Sequence, residues 1–538
     1  MKKEKRVKCM KTKLTLALLF AIILSSSTYV AIGQAWYNST YPWSQSQYDA
    51  QHTAASDSTS PSSNSTAWIF QDNSYGQPSG LVVGDGRVFG IRTDGGSLFV
   101  LDETTGVRIV DKSIGLRFNA MPAYSDGKVY LTSGNWIYGS GSVRCYNATT
   151  GDELWNYDTT PGPIYHPPTV SGNRVYVGAS NNYTYCIEDG MLKWYEKLGG
   201  PTQSAPAIDG SLFCIGCDDG KVYAFNVTGD QPVSLWNFTA GVAIRSPITI
   251  QGDKVYSAGN NGCLYVLDRT NGQLIWSWQS PNSGALAIAV AYGIVYVSPN
   301  VGSGLYALYS NVTAGNYTYT SPEPRVWADG TTWGARFGIA IAGGKLFYVE
   351  GNTNLVRARD AFTGTNLWSQ GSMDGTAIVA DGHVFVTGND KVYCFGEPYP
   401  PVTNTYKLNV GGQPFAVDIE TNSTVGSIDV SNITTTMNIS FTVENNRGTS
   451  MCNITLPNDM LGGPYSVTVD GQSPWSSATT PVNATHTSVY FTYNGTGKYT
   501  VQVIGSTVIP EFTLPITIVL CGIITVAIIG FRKRRLFT

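Results

Sequence analysis

Aligned on the phrase SAPAIDG at 204–210, the repeats of this chain bring a polar set to one place, just ahead of a short apolar strand. Arg117 and Asn119 precede Met121-Pro122, and Tyr165 and His166 precede Pro167. Gln203 precedes Ser204, Arg245 precedes Ser246-Pro247, and Arg336 follows Trp333. Arginine presents a planar fork matched to carboxylates and phosphates. Three arginines from three repeats, gathered near one axis, predict a site for an anionic or sugar-acid ligand. The alternative is that they pair with nearby aspartates or point into solvent.

Other reactive types are sparse or badly placed. Cys214 and Cys217 have the spacing of a redox or metal pair, but strand residues three apart face opposite sides. Cys145, Cys186 and Cys394 fill one place in three repeats where others carry Ala224 or Val266, which reads as a small core position. Nine cysteines show no disulfide framework. Four histidines, His52, His166, His383 and His486, leave little for histidine catalysis or a histidine-rich metal site. No Gly-rich phosphate loop or nucleophile elbow is visible. No catalytic or metal-binding residue is assigned.

The elements that must position the polar set repeat eight times. Each unit is a small apolar strand, a Gly turn, a second strand, then Thr-Gly and a Trp. The units begin near Asp85, Asp126, Ser171, Asp209, Gly252, Tyr292, Gly343 and Asp381. A period around forty residues suits four strands per propeller blade, and one such unit cannot bury its own apolar faces. The chain is therefore read as all-β: an eight-bladed propeller over 36–397, a PYPP linker at 398–401, and a small β-sandwich stalk over 402–505. Trp155, Trp194, Trp236, Trp276 and Trp368 recur on the outermost strand, where docking between blades buries a large aromatic area. The first repeat has Val110 near that position, and the sixth carries an insertion before Trp327. The eighth lacks its Trp strand, and Trp68 near the start of the chain is predicted to supply it, removing an open edge.

The ends speak to location. Residues 1–35 read as a signal peptide, with a basic start, an apolar Leu14–Leu24 and small residues before Trp36; an uncleaved anchor is the alternative. Residues 513–531 carry no charge and suit a transmembrane helix, and the basic tail 532–538 places the bulk of the protein outside. The linker 506–512 contains Pro510-Glu511-Phe512. Fourteen sequons fit a surface glycoprotein: Asn38, Asn64, Asn147, Asn182, Asn226, Asn237, Asn311, Asn316, Asn422, Asn432, Asn438, Asn453, Asn483 and Asn494. A net charge of −3 gives no sign of nucleic acid.

The phrases YVLDRTNGQLIW (265–276), CYNATTGDELW (145–155) and RDAFTGTNLW (359–368), with SAPAIDG, resemble the pyrroloquinoline quinone (PQQ) repeat family of eight-bladed propellers. The resemblance covers roughly 43–396, and the residues 43–68 are spaced like the leader that precedes many such propellers. It makes PQQ and Ca²⁺ expected cofactors of an enzymatic member. The adjacent cysteines such dehydrogenases use are missing from this sequence, and the calcium ligands and base match no local motif. The segment from Met451 to Phe512 resembles the membrane-proximal module of archaeal surface proteins, and Pro-Glu-Phe with its apolar helix and basic tail resembles an archaeosortase signal, which is processed rather than retained as an anchor. The leading reading is a membrane-anchored, outward-facing, non-catalytic binding or scaffolding module for envelope proteins or glycans. The rivals are a quinone-dependent oxidoreductase and a structural envelope component.

Overall fold

A computed structural model describes residues 42–508, apart from short internal stretches. The signal segment, the 513–531 helix, the basic tail and Pro510-Glu511-Phe512 lie outside the described residues. Two compact units divide the chain, one running to Glu397 and the other from Pro398, with Ala67–Phe70 and Thr104–Val107 counted in the second. Both are β-structure, and the helix described is the four-residue Ile433–Thr436. No helix among the described residues is long and apolar enough to cross a membrane.

Among its described residues the first unit holds eight sheets of four or five strands. The fourth is representative: Ala207–Asp209, Leu212–Gly216, Lys221–Asn226 and Val233–Thr239 run as an antiparallel meander. Its second strand, LFCIG, is buried throughout, because neighbouring sheets cover both faces. Its outer strand is largely exposed, with Trp236 turned inward. The inner strands touch in one cycle, from Pro78–Gly84 through Ala123–Ser125, Thr169–Ser171, Ala207–Asp209, Thr249–Gln251, Leu286–Ala291, Ala340–Ala342 and Ile378–Ala380 back to Pro78–Gly84. The sheets thus close a ring. The last sheet takes its outer strand from Thr66–Gln71, as the missing Trp strand predicts.

A docking device joins successive sheets at the outer rim. At five places among the described residues a glycine of positive φ, in the turn before an outer strand, lies against the outer-strand residue of the preceding sheet; Gly229 of the fourth sheet makes no such contact. A Cβ on Gly190 would stand 2.9 Å from Trp155, and one on Gly364 would stand 2.7 Å from Trp327. Gly106 meets Trp68 and Gly272 meets Trp236 in the same way. Gly151 meets Val110, so the first repeat keeps the joint with a smaller plug. Trp236 Nε1 donates to Arg269 O at 3.0 Å, and Trp327 Nε1 to Ala361 O at 2.9 Å. Trp327 therefore serves the sixth sheet despite the insertion. Part of that insertion, Gly315–Thr318, pairs in parallel with the outer strand of the fifth sheet.

The inner rim is held differently. Eight sheets converging on an axis leave backbone groups of their inner strands without a ladder partner. Residues 43–58 run around the axis, and their backbone, with the Gln45 amide and Ser58 Oγ, meets the sheets in chain order, while the Gln47 side chain donates across to Ile288 O of the sixth. Trp43 O accepts from Val83 N (2.9 Å) and Ser44 O from Tyr124 N (2.6 Å). The Gln45 side-chain amide donates to Val170 O (2.8 Å) and accepts from Val170 N (2.7 Å). Ala50 O accepts from Ile208 N, Gln51 O from Ile250 N, Thr53 O from Val290 N and Ala54 O from Ile341 N, at 2.8–2.9 Å. Ala55–Ser56 adds a parallel strand beside Ala340–Ala342, and Ser58 Oγ accepts from Gly382 N at 2.7 Å. His52 is buried, with Nδ1 3.1 Å from Ile248 O and Nε2 3.2 Å from Thr169 Oγ1. Composition alone would pass this Ser-rich stretch as a linker, but here it is an ordered strap.

The second unit has a five-stranded sheet (402–410, 413–421, 449–457, 486–494, 476–481) and a four-stranded one (424–429, 438–445, 497–504, 466–469). Strict alternation of half-buried and buried residues along Asn438–Asn445 marks strands with one covered face. Both sheets contribute to one apolar core that includes Phe441, Ile454, Phe491 and Val501.

Candidate functional site

The loops entering the inner strands of the third, fourth and fifth sheets come together at a mouth around Asp218. Tyr165 and His166 stand before the inner strand of the third sheet, Gln203 before that of the fourth and Arg245 before that of the fifth. Arg245 donates from Nε to Asp218 Oδ1 and from Nη2 to Asp218 Oδ2, both at 2.9 Å. Gln203 Nε2 donates to Asp218 Oδ2 at 3.1 Å. Asp218 is 14% exposed and Arg245 44% exposed, so the carboxylate is the buried member of the pair. His166 is half-buried, and its carbonyl accepts from Thr132 Oγ1 at 2.7 Å. Burial pushes its imidazole down to about 4; Asp218 opposes that shift and Arg245 adds to it. At neutral pH the cluster thus holds a neutral imidazole and one neutralised guanidinium. The fork of Arg245 grips a protein carboxylate, not an open anion site.

Trp333 is half exposed at the end of the Arg325–Trp333 strand, where the sixth sheet meets the seventh near Gly351. It therefore belongs to a different arc of the ring from the His166–Asp218–Arg245 cluster. Arg117, Asn119 and Arg336 lie outside the described residues.

Asp218 is the residue that sequence reasoning missed. It sits in Cys-Asp-Asp-Gly, whose second acid repeats a turn device. Asp219 Oδ1 accepts from Lys221 N, as Asn181 Oδ1 does from Tyr183 N and Asn261 Oδ1 from Cys263 N. Aligning those three turns assigns Asp219 to structure and leaves Asp218 as the extra acid, opposite Ser180 and Asn260 in neighbouring sheets.

The described cysteines read as structural. Cys145, Cys186, Cys214, Cys217, Cys263, Cys394 and Cys452 are free and buried. Cys145 pairs across the ladder with Trp155 and Cys186 with Trp194, the places Ala224 and Val266 take opposite Trp236 and Trp276. A small residue is needed there to seat the indole. Burial pushes the Cys217 thiol up to about 12, and its Sγ lies 3.2 Å from Gly200 O. Such thiols are poor nucleophiles and poor ligands.

Three described sequons double as turns, Asn483 Oδ1 accepting from Thr485 N in the second unit. Asn147 Oδ1 accepts from Thr149 N and Thr150 N, and Asn226 Oδ1 from Thr228 N. Asp268 and Asp360 do the same work in their repeats. The Asn-x-Thr spelling at 147 and 226 is thus accounted for by turn chemistry. Asn64, Asn237, Asn311, Asn316, Asn483 and Asn494 are exposed, Asn182, Asn422, Asn438 and Asn453 are half-buried, and Asn38 and Asn432 lie outside the described residues.

The repeats match a family model described as outer membrane protein assembly factor BamB in overlapping segments covering 57–164, 94–232, 139–283 and 220–316. The match supports the PQQ-repeat propeller family. A tetrathionate hydrolase from Acidithiobacillus ferrooxidans is 25% identical over 349 residues, which are 64% of this chain and 58% of that protein. The assembly factor BamB of Moranella endobia is 23% identical over 47% of this chain and 68% of its own length. Quinohemoprotein alcohol dehydrogenase ADH IIB of Pseudomonas putida is 29% identical over 34% of this chain and 31% of its own. The chain thus spans little more than half the hydrolase and about a third of the dehydrogenase. Among solved structures, the quinohemoprotein alcohol dehydrogenase of Comamonas testosteroni superposes with a TM-score of 0.51 at 16% identity, covering 69% of this chain and 83% of that one. That likeness carries the propeller fold. PQQ-repeat relatives thus include assembly factors and enzymes alike. The described mouth does not suit a Ca²⁺–quinone pair, because both oxygens of Asp218 are taken by Arg245. Among the described residues no group of three or more His, Cys, Asp or Glu is placed to hold a metal ion.

Proposed function

We propose that this protein is a non-catalytic binding or scaffolding module of the cell envelope. In this reading the first unit is an eight-bladed propeller and the second a β-sandwich stalk. Relatives that are outer membrane assembly factors support an envelope location. The observation that carries the reading is the mouth: Arg245 and Gln203 are bound to Asp218, and His166 is neutral, so the polar groups form a fixed surface for contact. The partner is an envelope protein or a surface glycan, met through polar contacts rather than through a free cationic site. Removal of 1–35 on export, glycan attachment at the exposed sequons and C-terminal attachment through 506–531, retained or processed, complete the reading.

The test is a photo-crosslinking residue at Gln203 or, as control, at the exposed Leu235 of an outer strand, in intact cells. One dominant adduct from position 203 and none from 235 is expected. Equal, diffuse labelling at both defeats the mouth as a contact surface. Similarity to quinohemoprotein dehydrogenase over 214 residues favours a second reading, a PQQ-dependent oxidoreductase. Incubation of the purified protein with PQQ and Ca²⁺ separates the two: retained quinone absorbance with dye reduction by alcohols or sugars supports the enzyme.

A further inference from the structure

The strap at 43–58 has the properties of a bound peptide. Its ends reach the first and eighth sheets, and its backbone, with the Gln45 amide, meets the sheets between in order. Recognition is by side chain as well as backbone. Trp43 and His52 are each 1% exposed, and Gln45 replaces a strand segment with its amide. The strap's shape is held by the ring as well as by its own turns. Gln47, Tyr48, His52 and Ala54 all adopt φ between 57° and 81°, a region that non-glycine residues rarely enter unaided. Internal bonds also shape the strap: Tyr48 N donates to Gln45 O, His52 N to Asp49 O and Ala54 N to Gln47 O, and Asp49 accepts from Thr53 N and Thr53 Oγ1. The chain that follows, around Ser62–Thr66, is largely exposed.

We propose that the inner rim is a sequence-specific peptide-binding surface whose ligand is residues 43–58, held without need of the covalent link and accepted when supplied as a separate peptide. The inner strands supply a ring of convergent N–H groups, and the pockets for Trp43, Gln45 and His52 set the register. Because the strap lies upstream of Thr66–Gln71, cutting between them separates its contribution from that of the strand that completes the eighth sheet.

The experiment inserts a protease site after Ser62 in the full chain and cleaves the folded protein. The strap is expected to co-elute with the ring, with amide exchange at Val83, Ile208, Ile250 and Ile341 unchanged. The cleaved protein is then unfolded and the ring refolded alone or with a synthetic 42–60 peptide. The peptide is expected to slow exchange at those amides by at least about tenfold and to raise the Tm, or to be required for refolding at all. Peptides carrying Gln45→Ala and His52→Ala together are expected to do neither. Loss of the strap on cleavage without change in Tm or exchange overturns the proposal, as does equal rescue by a scrambled peptide. These outcomes do not depend on what the open mouth binds.

Discussion

The outer and inner rims of the ring solve one problem by opposite means. At the outer rim sheets are fastened to their neighbours by local, repeated joints, in four places an indole against a left-handed glycine and in one the smaller Val110. At the inner rim a single non-repeating strap fastens all eight sheets. A local joint buries apolar area and fails one sheet at a time. A strap satisfies backbone groups, each worth about 1 kcal/mol net, and links its contacts through one chain. The rims should therefore respond differently to substitution.

The largest effect is expected at an outer-strand indole. Trp276 is fully buried, and Trp276→Ala should cost about 3–5 kcal/mol, read from the denaturant midpoint, while leaving amide protection at Ile208 and Ile341 intact. If protection is lost all round the inner rim, the joints are not local. Next is acid sensitivity at the inner rim. Burial holds His52 at about 4, below its ordinary value near 6.5. Unfolded chains take up a proton between those values that the folded ring refuses, so stability should fall as pH drops from about 6.5 to about 4, by up to about 3 kcal/mol. The raised carboxyl of Asp49 works in the opposite direction. His52→Gln should flatten the slope, and an unaltered slope assigns it elsewhere.

A paired substitution sharpens the outer joint. Gly272→Ala meets both a positive φ and the Trp236 ring, whereas Gly252→Ala meets a positive φ with open space. The first should cost about 2 kcal/mol or more and the second about 1 kcal/mol. Equal costs in thermal unfolding would leave the indole contact without weight. The smallest stability effect is expected at the mouth. Asp218→Asn removes an exposed cation's partner and should change stability by less than about 0.5 kcal/mol. It should also free Arg245 to bind sulfate or phosphate, measurable by calorimetry, where the parent protein binds neither. Anion binding by the parent protein would restore the cationic mouth that spacing alone suggests.

Much of the outer rim was legible in the sequence, because each joint is written within one repeat and its neighbour. Thr-Gly, the Trp strand and the small residue opposite it recur with the period. Trp68 was legible as a missing piece, since one repeat lacked what the start of the chain had to spare. Trp327 was obscured by the insertion that separates its strand from the preceding one of the sixth sheet. The mouth was half legible. Alignment found the loops carrying His166, Gln203 and Arg245, but Asp218 comes from a turn in the fourth sheet, and one acid beside a structural acid has no sequence mark.

What the sequence by itself determined is the repeat, the all-β class and the outer joints, because short-range patterns of burial and turn chemistry decide them. Only the tertiary structure decided the path of residues 43–58 and the charge state of the mouth. Both depend on groups brought together by ring closure from chain positions far apart: Gln45 with Val170, and the third, fourth and fifth sheets around Asp218. A polar, Ser-rich stretch has no periodicity of its own, so its path is set by the backbone groups and side-chain pockets that the closed ring presents to it, together with its own short turns.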